Sequence, residues 1–192
     1  MSETNSRTMS LGTKAPNFRL PDPHGKIFSS DDCIEATALL VVFMCNHCPY
    51  VLHIRSTFAS LAKEYQARGV WIVGINANDS QEYPEDAPER MAEEIRDNEY
   101  TFPYLYDETQ EVARAFGAVC TPDFFLFDRD RRLAYRGQFD DSRPKKVAPI
   151  TGADLRVALD AILEGRPVPH EQKPSVGCSI KWKPADASKT AG

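Results

Sequence analysis

No apolar run in this chain is long enough to cross a bilayer. The longest, Ala38 to Cys45, has 8 residues, whereas a spanning helix needs about 20. Met1 to Ser10 are polar and lack the apolar stretch of a secretory signal, so a cytoplasmic protein with no membrane partner is expected. Excess positive charge is missing as well. The net charge is -5, and the cluster Arg129-Asp130-Arg131-Arg132 is broken by acid. Without a basic stripe to displace counterions from phosphates, nucleic acid is excluded as a partner. Internal repeats and low-complexity tracts are absent. Cysteine is scarce and odd in number: Cys33, Cys45, Cys48, Cys120 and Cys178. Such a set fits reduced thiols with a reactive subset better than a disulfide framework.

What remains is enough for one core. With 192 residues and 42% hydrophobic content the chain needs no staples to fold. Its organisation reads as a disordered N-terminus over residues 1–10, one α/β domain over 11–165 and a Pro-rich tail over 166–192. Turn formers at Pro21-Asp22-Pro23-His24-Gly25 predict an N-terminal β-hairpin. Ala38 to Phe43 is a continuous apolar run, as in a central strand covered on both faces. From Pro49, Ile54, Phe58, Leu61 and Tyr65 recur at helical spacing, and Gly69 is the expected stop. Val70 to Ile75 then supplies a parallel partner strand. A surface helix is predicted over Glu89 to Asn98, a strand at Tyr104-Leu105-Tyr106 and a short helix over Thr109 to Phe116. A hairpin from Phe124 to Arg136 and a helix over Thr151 to Leu163 complete the pattern.

The chemistry concentrates at Cys45-Asn46-His47-Cys48-Pro49, where the apolar strand hands over to the helix. Pro49 suits the first helical position because its missing N–H leaves no bond unmade there. Cys48 then becomes the N-cap residue, and unpaired backbone N–H groups with the helix dipole stabilise its thiolate. Cys48 is the candidate nucleophile. Cys45 comes within disulfide reach only if the chain turns at Asn46-His47, because an extended strand would hold the two Cα atoms about 10 Å apart. His47 or His53 is a candidate for assisting the thiol. Zinc binding by Cys45, His47, Cys48 and a distant thiol is set aside, since a structural site usually shows two separated ligand pairs and only one is visible. No metal and no cofactor are assigned.

Several landmarks in order carry a resemblance. They are Gly12-x-x-Ala15-Pro16-x-Phe18-x-Leu20 with Gly25, the strand into Cys48 and its helix, and Thr121-Pro122 before Phe124-Phe125-Leu126-Phe127. From about Gly12 to Leu163 the chain resembles the thioredoxin-fold superfamily. Within it the chain is similar to the redoxin branch, with the peroxiredoxin-like and alkyl hydroperoxide reductase proteins. The resemblance implies a mixed central sheet flanked by helices, a cis-proline at Pro122 facing the active-site cysteine, and Thr121 and Pro122 as substrate-binding residues. It also puts Cys120 close to Cys48. Thioredoxins place the attacking cysteine five residues after the strand's phenylalanine, which from Phe43 is Cys48. Where peroxiredoxins keep a proline and a threonine, this chain has Val41 and Cys45, and Arg136 is the candidate for their arginine. The segment Pro174 to Lys183 resembles a C-terminal stretch of peroxiredoxin-like proteins, which makes Cys178 a candidate resolving thiol.

The expected activity is thiol-disulfide oxidoreduction, with Cys48 attacking and Cys45 resolving. The alternative is a thiol peroxidase whose Cys48 sulfenic acid condenses with Cys45, Cys120 or Cys178. A third reading is a non-catalytic module that holds an extended peptide in the cis-proline groove. The enzyme readings imply a protein or small-molecule disulfide, or a peroxide, as substrate and a thiol reductant as partner.

Overall fold

A computed structural model describes residues 3–5, 9–145 and 148–184. In chain order the elements are β1 (Glu3–Asn5), β2 (Arg19–Pro21), β3 (Ile27–Ser29), β4 (Ala38–Phe43), α1 (Pro49–Gln66), β5 (Val70–Asn76) and α2 (Pro88–Asp97). They continue with β6 (Tyr104–Tyr106), α3 (Glu111–Phe116), β7 (Cys120–Thr121), β8 (Asp123–Phe127), β9 (Leu133–Gly137), α4 (Ala153–Leu163) and β10 (Val176–Ser179).

The run of six apolar residues in β4 is buried throughout because helices or loops cover both of its faces. Leu40, Val42 and Met44 enter one apolar cluster, while Leu39, Val41 and Phe43 enter the other. This is the two-residue alternation of a pleated strand. β4 is the middle of a five-stranded sheet ordered β6-β5-β4-β8-β9. It runs parallel to β5 and antiparallel to β8. The apolar stripe of α1 (Val51, Ile54, Phe58, Leu61 and Tyr65) packs with α4 on one face. Ala113 and Phe116 of α3 and the β2–β3 hairpin cover the other. The architecture is the mixed, helix-flanked sheet of the thioredoxin-like fold, with the N-terminal hairpin as an extension.

Helix ends differ by small steps from their sequence expectations. α1 stops at Gln66 rather than running to Gly69. The chain there needs a turn, with Gly69 N donating to Gln66 O and a φ of +89° at Gly69 that only glycine adopts readily. α2 begins one residue early because Pro88 occupies its first position.

Both termini depart further from the sequence reading. Val176–Ser179, expected as tail, forms the middle strand of a second antiparallel sheet ordered β1-β10-β7. Glu3–Asn5, expected as disordered, forms its edge, with Glu3 opposite Cys178. These strands have only three and four residues. Segments so short carry no readable period, and their pairing spans most of the chain. The rest of those two expectations, on residues 1, 2, 6–8 and 185–192, lies outside the described residues. Among the described residues no helix is long and apolar enough to cross a membrane.

Candidate active site

Three elements meet at the cysteines. β4 ends at Phe43, and Met44 N still bonds Ile75 O at 2.9 Å before the chain leaves the sheet. The turn at Asn46-His47 is clamped from outside. Asn46 N donates to Asp86 Oδ1 at 2.7 Å, Asn46 Nδ2 to Glu85 O at 2.8 Å, and Tyr104 OH to Asn46 Oδ1 at 3.0 Å. Cys48 follows as the N-cap of α1, with Pro49 at the first helical position. The turn removes the extended-chain separation and brings the Cys45 thiol within hydrogen-bonding reach of the Cys48 sulfur.

The second element is the Thr121-Pro122 step, which is cis as the resemblance implies. It lays Thr121 across both thiols. Thr121 Oγ1 stands 3.3 Å from Cys45 Sγ, and Thr121 O lies 3.1 Å from Cys48 Sγ, a contact in which Cys48 donates only while protonated. The third element is β10, which pairs with β7 in a register that sets Cys178 opposite Thr121. Its thiol reaches the Cys48 sulfur. Gly177 makes this approach possible, since a Cβ there would lie 2.0 Å from Thr121 O.

Electrostatics single out one sulfur of the three. The Cys48 thiol is lowered to about 5. The Cys45 thiol contributes most by bonding to the thiolate; burial opposes it, and the Cys178 thiol, the Val51 amide N–H and Thr121 add to it. The Val51 amide at the helix start thus contributes less than either neighbouring sulfur, which sequence reasoning did not foresee. Cys45 moves in the opposite direction, well above the ordinary range, because its proton is held against Cys48 and because it is buried. Burial and the bond to Cys48 push Cys178 up to about 12. The arrangement is one thiolate between two proton-bearing thiols.

The remaining candidates divide. Cys120 is buried with its sulfur 3.9 Å from Pro122 O, and burial holds its thiol protonated. Cys33 donates to Ser30 O at 2.9 Å inside the opposite cluster and packs as a small hydrophobe. His47 lies beside the thiols, with Nδ1 2.8 Å from Asp86 Oδ2 and its ring stacked on Tyr83. The Asp86 carboxylate raises its pKa against the opposing effect of burial. His53 instead contacts Ser142 Oγ at 3.2 Å. Arg136 spends its guanidinium on Asp123 at 3.0 Å and on Gly117 O at 2.9 Å. That ion pair is buried, and desolvation pushes Asp123 up to about 7 although Arg136 pulls the other way. The β7 edge of the cis-proline groove is taken by β10. Asp86 and Tyr83 carried no sequence signal, because they sit in a segment that reads only as an acidic loop.

The low Cys48 value predicts the pH dependence of reactivity. A free thiol ionises near 8.5. Here the thiolate persists as pH falls and is lost through about pH 5. Iodoacetamide labelling of the native reduced protein, quantified at Cys48 by peptide mass spectrometry from pH 4 to 9, is expected to reach half its maximal rate near pH 5. A half-point near 8.5 contradicts this geometry.

Comparison with known proteins gives a consistent picture. Residues 11–136 match the AhpC/TSA family. An uncharacterized conserved protein of Geobacillus kaustophilus is 51% identical, with a TM-score of 0.94 over 97% of this chain and 99% of that one. The 1-Cys peroxiredoxin A of Oryza sativa subsp. japonica is 24% identical over 93% of this chain and 81% of its own length. The thiol-disulfide oxidoreductase ResA of Bacillus thuringiensis subsp. konkukian is 23% identical over 68% and 70%.

Proposed function

Because the chain belongs to the AhpC/TSA family, we propose that it is a thiol-disulfide oxidoreductase with the Cys48 thiolate as nucleophile. The convergence of Cys45 and Cys178 on the Cys48 sulfur carries this reading, because a mixed disulfide at Cys48 meets a second thiol without any domain motion. Cys48 attacks one sulfur of a substrate disulfide, forms a mixed disulfide and expels the other half as a thiolate. The Cys45 thiol then loses its proton and attacks the Cys48 sulfur, releasing the second half as a thiol. The substrate gains two electrons, the protein holds a Cys45–Cys48 disulfide, and a thiol reductant restores it. Cys45 is preferred as resolving thiol because it shares a clamped loop with Cys48. Cys178 keeps its place only while β10 stays on β7.

One observation favours a peroxidase as the second reading. Cys48 is 0% exposed beneath β10, so a small peroxide reaches it more easily than a protein disulfide does. In that case the thiolate attacks one peroxide oxygen, an alcohol or water leaves with a proton, and the sulfenic acid condenses with Cys45 or Cys178, releasing water. Against it stands Cys45 in the position where the resemblance expects a threonine.

Two assays on the same preparation separate the readings. Reduction of an aromatic disulfide and consumption of hydrogen peroxide are followed with dithiothreitol as reductant, and oxidised protein is mapped by non-reducing peptide mass spectrometry. Disulfide reduction with a Cys45–Cys48 bond in wild type, replaced by Cys48–Cys178 in Cys45→Ser, is the expected result. Peroxide consumption without disulfide reduction overturns the first reading and establishes the second.

A further inference from the structure

The turn between β4 and α1 has a second chemical character that the redox reading does not use. Cys45 Sγ, a ring nitrogen of His47 and a carboxylate oxygen of Asp86 all lie within 4.8 Å of one another. The Cys48 sulfur lies within hydrogen-bonding reach of Cys45. In the sequence only one ligand pair is visible, and Asp86 stands 38 residues beyond Cys48 in the chain. Folding delivers the missing ligand by packing the Pro84–Asp86 turn against the cysteine loop.

We infer that Cys45, His47, Cys48 and Asp86 form a tetrahedral site for a zinc-class divalent cation. The distances suit three of the four ligands. With bonds of about 2.3 Å to sulfur and about 2.0–2.1 Å to nitrogen or oxygen, neighbouring ligand atoms in a tetrahedron are about 3.3–3.8 Å apart. The ligand atoms of Cys45, His47 and Asp86 bracket that range, from the 2.8 Å His47–Asp86 ion pair to a full spread within 4.8 Å, whereas the Cys48 sulfur lies outside that group and moves in to complete the tetrahedron. His47 Nδ1 is shielded from solvent and faces Asp86 Oδ2 at 2.8 Å, an ion pair that a bound cation would replace. A surrounding set of donors already orients the carboxylate: Asn46 N–H holds Oδ1 and Asn78 Nδ2 holds Oδ2 at 2.7 Å. Two thiolates and an imidazole select a borderline-soft ion and reject magnesium or calcium, which want oxygen ligands.

Binding leaves every bond in the chain intact. The cation takes the place of the Cys45 proton, and of a proton on His47 Nδ1 where the ring carries one there, while Nε2 keeps its own; the displaced protons go to solvent. Oxidation of Cys45 and Cys48 to a disulfide removes both sulfur ligands, so the cation and the disulfide exclude one another. The site therefore belongs to the reduced protein.

The test uses the full chain, reduced by a phosphine without metal-binding groups, treated with chelator and desalted. Titration with Co²⁺ under argon is expected to saturate at one equivalent. A sulfur-to-cobalt charge-transfer band in the near ultraviolet and an intense visible d–d band should report four-coordination, and one equivalent of Zn²⁺ should bleach both. His47→Ala and Asp86→Asn are expected to weaken Co²⁺ binding at least about tenfold, since even outer-shell partners of metal ligands are worth about 10–100-fold. Cys33→Ser is expected to bind as wild type does. Should Asp86→Asn fail to fold, His47→Ala and His47→Gln decide, with circular dichroism as the check on folding. Wild-type affinity in the His47 variants overturns the site by reducing it to a bare thiol pair. Absence of the charge-transfer band, or binding that depends on Cys178 but not on His47, overturns it equally. These readouts need no turnover and stand apart from the proposed enzymatic activity.

Discussion

Replacing Cys48 with Ser is expected to lower kcat/KM at least about a thousandfold for the disulfide substrate and for a peroxide alike, because loss of a covalent nucleophile removes the reaction path rather than one contact along it. The two side chains have similar shape, so no cavity opens. The difference is ionisation. Cys48 is a thiolate down to about pH 5, whereas a serine hydroxyl in the same place stays protonated and is a poor nucleophile. Cys45 and Cys178 cannot substitute, because burial still raises the pKa of each once Cys48 is gone. Steady-state kinetics of wild type and Cys48→Ser at pH 7, with near-ultraviolet circular dichroism to show an unchanged fold, make the comparison. Activity retained within tenfold would remove Cys48 from its proposed role.

Gly177→Ala is the second substitution with a large expected effect, and it acts through backbone rather than chemistry. The added Cβ would stand 2.0 Å from Thr121 O, 2.6 Å from Thr121 C and 3.1 Å from Pro122 N. None of these atoms belongs to a side chain that can swing aside. Overpacking of this kind typically costs about 1–3 kcal/mol, occasionally more. β10 has few residues over which to distribute the cost, so it is expected to leave β7. Cys178, 3% exposed in the docked strand, then moves away from Cys48. Native-state alkylation of Cys178 is expected to rise at least about tenfold, and the Cys48–Cys178 disulfide should disappear from oxidised Cys45→Ser protein carrying the same change. Cys48 is uncovered at the same time, so reduction of a protein disulfide should quicken while a small aromatic disulfide is affected less. Unchanged alkylation of Cys178 would mean that β10 does not govern access to the site.

Much of this was legible in the chain because it rests on local rules. The apolar run of β4, the helical period from Ile54 to Tyr65 and the parallel return at β5 are each written within a short window. Pro49 alone fixed the start of α1, and with it the N-cap position of Cys48. The order of landmarks up to Thr121-Pro122 carried the fold class. The failures have one cause. β1 and β10 are too short to show a period, and their partners lie far away in sequence. Asp86 looked like one acid among several in a loop, although it is fully buried and holds Asn46, His47 and Asn78 together. Arg136 looked available to the site and is instead consumed by Asp123.

By itself the sequence determined that a cysteine stands at a helix start with a proline behind it and a second cysteine three residues ahead, because backbone geometry and proline's missing N–H act over a few residues. Which thiol carries the negative charge most firmly, and why, was decided by tertiary structure. The proton-bearing sulfurs of Cys45 and Cys178, brought in by a loop turn and by a strand from the far end of the chain, stabilise the Cys48 thiolate more than the Val51 amide of its own helix does. A thiol's ionisation depends on what surrounds the sulfur in a buried site. Those surroundings exist only once distant segments have packed.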